Sequence, residues 1–134
     1  MNYFDLQEVE TENRQDLISY VIQSITSQEM LIATCMNPKF GGALEHIFRP
    51  AGGLGGDHLW AIEHLPGKGG LGQFRLYRGD DIDGTEENSV YDADEVIEAL
   101  IKAFDDHKIH FPDHQATVDE ILKLIPQYRE NLRT

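Results

Sequence analysis

Apolar residues recur along this chain in two rhythms, helical near both ends and alternating in the middle. After Asn13, Leu17, Ile18, Val21, Ile22 and Ile25 fall at i, i+1, i+4, i+5 and i+8, a single stripe along an amphipathic helix. Thr11 or Asn13 can cap that helix, and Asp16 suits its positive amino-terminal end. Its end lies near Ser24–Ser27. Met30–Met36 then reads as a short buried strand or as more helix, and Asn37-Pro38 terminates either one.

The middle third predicts strands over Ala43–Arg49, His58–Leu65 and Gln73–Arg78. Trp60, Ile62 and His64 alternate with Leu59, Ala61 and Glu63, and Phe74 and Leu76 alternate with Arg75 and Tyr77, as in half-buried antiparallel strands. The connections Pro50–Asp57 and Pro66–Gly72 suit hairpin loops and are too short for helical crossovers. The last third is helical again. Asp92 with Glu95 makes a cap ahead of Val96, Ile97, Leu100, Ile101 and Phe104, which repeat the spacing of the first helix. Thr117–Glu120 reads as a capping box opening a further helix with Ile121, Leu122, Leu124 and Ile125. Pro126 is expected to kink that helix or restart it as a short terminal helix. The expected architecture is α+β: an N-terminal helix, a three- to four-stranded antiparallel sheet, and two C-terminal helices on one sheet face.

Length makes this one domain, residues 1–134, large enough to bury a core without disulfides. No apolar run spans a bilayer. Met1–Leu6 lacks a basic n-region, so a cytoplasmic location is expected. Cys35 is the only cysteine, which leaves no intrachain disulfide and no thiolate-rich zinc site. Its apolar neighbours make it a buried small hydrophobe and not an activated thiol.

Charge changes the picture most. The net formal charge is −13, distributed as −4 over residues 1–50, +1 over 51–78 and −10 over 79–134. Nine acids and no base lie between Asp80 and Glu98. Such a field repels nucleic-acid phosphates and anionic membranes and favours a basic protein partner. The run reads as a loop and helix start, where binding groups concentrate. Asp80, Asp81, Asp83, Glu86, Glu87, Asp92, Asp94 and Glu95 are the candidate electrostatic face. Tyr77 and Tyr91, flanking it, are candidate interface anchors.

Catalytic and cofactor motifs fail on inspection. Gly67-Lys68-Gly69-Gly70-Leu71-Gly72 matches G-x-G-x-x-G, but a strand and not a helix is expected after it, so no helix amino terminus faces a phosphate. The Walker form lacks its Ser or Thr. Both this segment and Gly52–Gly56 read as flexible loops. Aligning Gly84 to the sixth position of an EF-hand puts Gly79 first and Val90 twelfth, where carboxylates are required. His107, His110 and His114 cluster in what reads as an interhelical connector interrupted by Pro112. With His58 and His64 they are the residues around which a small hydrolase or metal-dependent enzyme is conceivable. No acid–base pair is assembled locally and no metalloenzyme signature is present. The reading therefore calls for no catalytic residue, no metal and no cofactor. A regulatory subunit of a larger assembly is a further alternative.

In size, acidity, lack of a catalytic motif and mixed pattern, the whole chain resembles the bacterial immunity proteins of contact-dependent growth inhibition and colicin-like toxin systems. The resemblance implies a cytoplasmic inhibitor that binds a basic toxin domain, a nuclease, one to one. It carries no family motif and so transfers no site residues.

Overall fold

The computed structural model describes residues 7–10, 13–26, 42–56, 60–80 and 85–133. The first helix forms as α1 (Arg14–Ile25), and Asn13 Oδ1 accepts from the Asp16 N–H at 3.0 Å. Its stripe Leu17, Ile18, Val21, Ile22 and Ile25 is buried. Met30–Met36, and Cys35 within it, lie outside the described residues.

Ala43–Arg49 is not a strand. It contributes a short helix, α2 (Gly42–Ile47), and the turn after it. The physical reason is spacing: Leu44, Ile47 and Phe48, at i, i+3 and i+4, are all buried, and one face of a helix collects them where a strand would split them. Gly53–Gly56, expected to be a loop, is the edge strand β2. It pairs antiparallel with β3 (Trp60–Leu65), from Gly53↔Glu63 to Gly56↔Trp60. Ladder hydrogen bonds use only the main chain, so glycine pays an entropic penalty there without losing the pairing.

β3 and β4 (Gln73–Asp80) form the expected antiparallel pair, with Ile62↔Leu76 and His64↔Phe74 in register. Beyond them the acidic run departs from expectation. Thr85–Asp92 is a full strand, β5, antiparallel to β4. It is not an edge, because β1 (Gln7–Glu10) pairs parallel to it on its other side. The sheet order is β1-β5-β4-β3-β2, an antiparallel meander of four strands with one parallel strand added. The fold is α+β with the helices against one face of the sheet, as the pattern predicts.

That face carries Ile62, Phe74, Leu76 and Tyr91, all buried. Over it lie α1, α2 and α3 (Ala93–His110). Val96, Leu100 and Phe104 of α3 are fully buried against Leu17, Val21 and Ile25 of α1 in one core. Phe48 meets Phe74 edge to face at 6.1 Å and stacks on Tyr128 at 5.6 Å. Tyr128 belongs to α4 (Gln115–Asn131), which packs along α3 with Val118, Ile121 and Ile125 buried. α4 starts two residues before the expected box at Thr117, directly after a 3-10 turn over Pro112–His114. It continues through Pro126 to Asn131 without a second helix. His107 and His110 stand in the last turn of α3, so the linker between the two helices is shorter than the sequence suggests. No helix among the described residues is long and apolar enough to cross a membrane.

Candidate functional site

Strand register divides the acidic run into two populations. In β5, Glu87, Ser89 and Tyr91 lie opposite Arg78, Leu76 and Phe74 of β4, on the face beneath the helices. Arg78 Nε donates to Glu87 Oε2 at 3.1 Å, and its Nη1 reaches Asp16 Oδ2 of α1 at 3.3 Å. The Arg78 guanidinium also stands 5.3 Å over the Tyr20 ring. Glu87 is therefore committed to neutralising a cation at the helix–sheet boundary. Tyr91 is 1% exposed, and its hydroxyl donates to the Arg14 carbonyl. Arg14 covers its ring at 4.4 Å and donates to the Val90 carbonyl at 2.8 Å. Tyr91 is a core residue that fastens the start of α1 to β5, and no partner reaches it as an anchor.

Glu86 and Asn88 project from the opposite face of the sheet, and both are buried, Glu86 at 5% exposure. Arg75 Nη1 donates to Asn88 Oδ1 at 3.0 Å. On the same face Tyr77 is half-buried and donates to Glu63 Oε1 at 2.9 Å. Burial, and then that hydrogen bond to a carboxylate, push its phenol well above the usual range, so it stays a donor. Asp80 ends β4. Asp81 and Asp83 lie outside the described residues.

The second population is on the surface. Asp92, Asp94, Glu95 and Glu98 lie within the first turns of α3 or just before them, and all are exposed. They have local work: the Asp92 N–H donates to Glu95 Oε1 at 3.3 Å, and acids at a helix amino terminus complement its dipole. Two are also paired across elements. Arg129 Nη2 lies 3.0 Å from Asp94 Oδ1, and Arg14 Nη2 lies 3.7 Å from Glu95 Oε2. These pairs leave the carboxylates largely in water, with Asp94 at 60% and Glu95 at 46% side-chain exposure. Among the described residues, two guanidiniums thus face four carboxylates, and the shoulder of α3 keeps a negative surplus. Glu98 was not among the residues singled out by sequence, although it closes the same run of acids.

The shoulder continues into a groove between α1 and α3, which encloses about 560 Å³. Arg14 beside Glu95 sets the amino termini of the two helices side by side. Ile18 and Ile22 with Ala99 and Ala103 form the groove floor, and Glu95, Glu98, Lys102 and Asp106 stand along the α3 rim. Sequence reasoning missed this groove, although alanine at 99 and 103, four apart on one helix, was a usable signal for a shallow trough.

The histidines are engaged in structure. His64 is 2% exposed. Its Nδ1 accepts from the Ala51 N–H at 3.3 Å, so Nε2 carries the hydrogen that meets the Leu71 carbonyl at 2.7 Å. The ring thereby ties both glycine-rich segments to β3. Gly72 (φ +79°) is required at that junction, because a Cβ there would lie 2.3 Å from the Leu65 carbonyl oxygen. His107 Nε2 and His114 Nδ1 are 2.9 Å apart and share one hydrogen, with the Phe111 ring tilted against the His107 ring at 4.7 Å. Burial first, then His114 and His110, hold His107 below the usual imidazole range. His110 Nδ1 meets the Asp106 carbonyl at 2.9 Å. His58 lies outside the described residues. Among the described residues, no three His, Cys, Asp or Glu side chains gather as a metal ion would need. Compared with known proteins, the chain matches no family model, no curated protein and no solved structure.

Proposed function

We propose that this chain is an acidic inhibitor of the immunity or antitoxin kind, acting in the cytoplasm, which binds a basic toxin domain of nuclease type one to one. The observation that carries the reading is the exposed carboxylate surplus on the α3 shoulder, set in a chain of net charge −13. A nuclease must present a cationic path to hold phosphates, and a clustered acidic surface complements that path. The same charge keeps the inhibitor off nucleic acid and speeds encounter with the toxin at low salt. Among the described residues, Asp92, Asp94 and Glu95, extended by Glu98, form the face, whereas Glu86, Glu87 and Tyr91 serve the fold; Asp81 and Asp83 lie outside the described residues.

The test is affinity capture of the intact chain at low salt from cells that express it naturally, with co-purifying chains identified by mass spectrometry. The proposal expects a basic chain at one-to-one stoichiometry that high salt releases. Its isolated nuclease activity should be abolished by adding the acidic protein back. A captured partner that is acidic or neutral, or an active nuclease left uninhibited in the complex, would sink the reading.

A further inference from the structure

Resting on that reading of a basic partner, we propose that the groove between α1 and α3 receives a basic amphipathic helix of the partner, about three turns long. The groove runs from the level of Gln15 and Glu95 to that of Thr26 and Asp106, a rise of about 16 Å on parallel helices. Among the described residues its walls are two helices and offer no free strand edge. An extended segment lying there would find no main-chain partners, whereas a helix satisfies its own N–H and C=O groups. Ala99 and Ala103 lower the α3 wall, so a third helix can settle between the ridges of the other two. The apolar floor is narrow, since Ile18 and Ile22 are 6% and 3% exposed. An occupant therefore needs only a thin apolar stripe and draws on its flanks for the rest.

The flanks differ. The α1 rim offers the neutral polar side chains of Gln15, Ser19 and Gln23, while the α3 rim offers Glu95, Glu98 and Asp106 with Lys102 between them. Among the described residues, Glu98 and Asp106 have no ion-pair partner. This order sets a register. The incoming helix carries Arg or Lys opposite both ends of the α3 rim, a neutral or acidic residue opposite Lys102, and uncharged polar residues toward α1. A second copy of this chain fits poorly, because its own surplus of acids opposes the rim.

The test titrates the full isotope-labelled protein with a capped 15-residue peptide. The peptide has leucines at i, i+3, i+4 and i+7, arginines toward both ends of one flank and glutamines elsewhere. A control peptide of the same composition is scrambled to lose the stripe. The proposal expects amide shifts confined to α1 and α3 around the groove, with the scrambled peptide bound at least about tenfold more weakly. Asp106→Lys, at an exposed position remote from the shoulder, should weaken the ordered peptide about tenfold at low salt. Ala103→Trp should block it by filling the floor, and the Asp106→Lys result stands alone if that variant folds poorly.

Equal binding of both peptides, shifts elsewhere on the surface, no binding, or the same shifts on raising protein concentration alone would each overturn the groove assignment. Equal, salt-sensitive binding of both peptides would leave the basic-partner reading intact. Capture of no basic partner from cells would defeat that reading whatever the peptide does.

Discussion

Glu87 and Glu98 stand only eleven positions apart in one acidic run, yet they belong to different parts of the molecule's physics. Glu87 sits in a central strand against Arg78 beneath α1. Glu98 stands in water on α3 with no ion-pair partner among the described residues. The strand half of the run is used in building the sheet, because β5 is paired on both sides and Glu86, Glu87, Asn88 and Ser89 are buried or half-buried within it. The helix half keeps its charge, because a helix on the surface buries one stripe and leaves the rest in solvent. A run of like charge in sequence is thus no measure of charge on a surface. The secondary structure beneath it decides.

The largest effect is expected at Tyr91. Tyr91→Ala should cost about 3–5 kcal/mol, the usual loss for a buried aromatic, read as a lowered urea midpoint. Tyr91→Phe should cost about 1 kcal/mol by removing one hydrogen bond to the Arg14 carbonyl. Full stability in the alanine variant would return Tyr91 to the surface as a possible anchor. Next in size is the Arg78–Glu87 pair. It is partly exposed, with Arg78 at 26% and Glu87 at 35%, so removing either partner should cost about 1–2 kcal/mol, below the range for fully buried pairs. A double-mutant cycle with Arg78→Met and Glu87→Gln should show coupling, and additive losses would count against the network.

A smaller effect comes from the far end of α3. Since folding holds His107 below its ordinary value of 6.5, the folded state favours the neutral ring. Its contribution is complete above that pH and is lost as pH falls through 6.5 toward the folded value. The gap in urea midpoint between wild type and His107→Gln should narrow between about pH 7.5 and pH 5. A gap independent of pH would show that His107 does not titrate with folding. Smallest of all are the shoulder substitutions. Asp94→Asn with Glu98→Lys should change stability by about 0.5 kcal/mol or less, while slowing association with a basic partner several-fold at low salt.

How much of this was legible depended on how loudly each segment announced its periodicity. The stripes of α1 and α3 and the alternation of β3 and β4 come directly from residue order. α2 was masked by the brevity of its Leu44, Ile47, Phe48 triplet and by glycines on both sides. β2 was hidden because glycine carries no pattern at all, and its pairing is a property of the main chain. β5 was hidden by composition: six of its eight residues, Thr85 to Ser89 and Asp92, are polar or acidic, and only the cross-strand partners reveal which of them is covered. For the candidate face, the acids of the α3 cap were correctly placed at a helix start. The burial of Tyr91 and Glu86 required the sheet order, which depends on contacts distant in sequence.

If the α3 shoulder, and not the β5 carboxylates, meets a basic partner, parallel low-salt capture from naturally expressing cells separates the two with three baits: wild type, Asp94→Asn/Glu98→Lys, and Glu87→Gln. Each bait is first confirmed folded under the capture conditions. The account predicts that wild type and the strand variant retain the same basic chain and that the shoulder variant loses most of it. Equal recovery on the wild-type and shoulder baits, or loss on the strand variant alone, would contradict it.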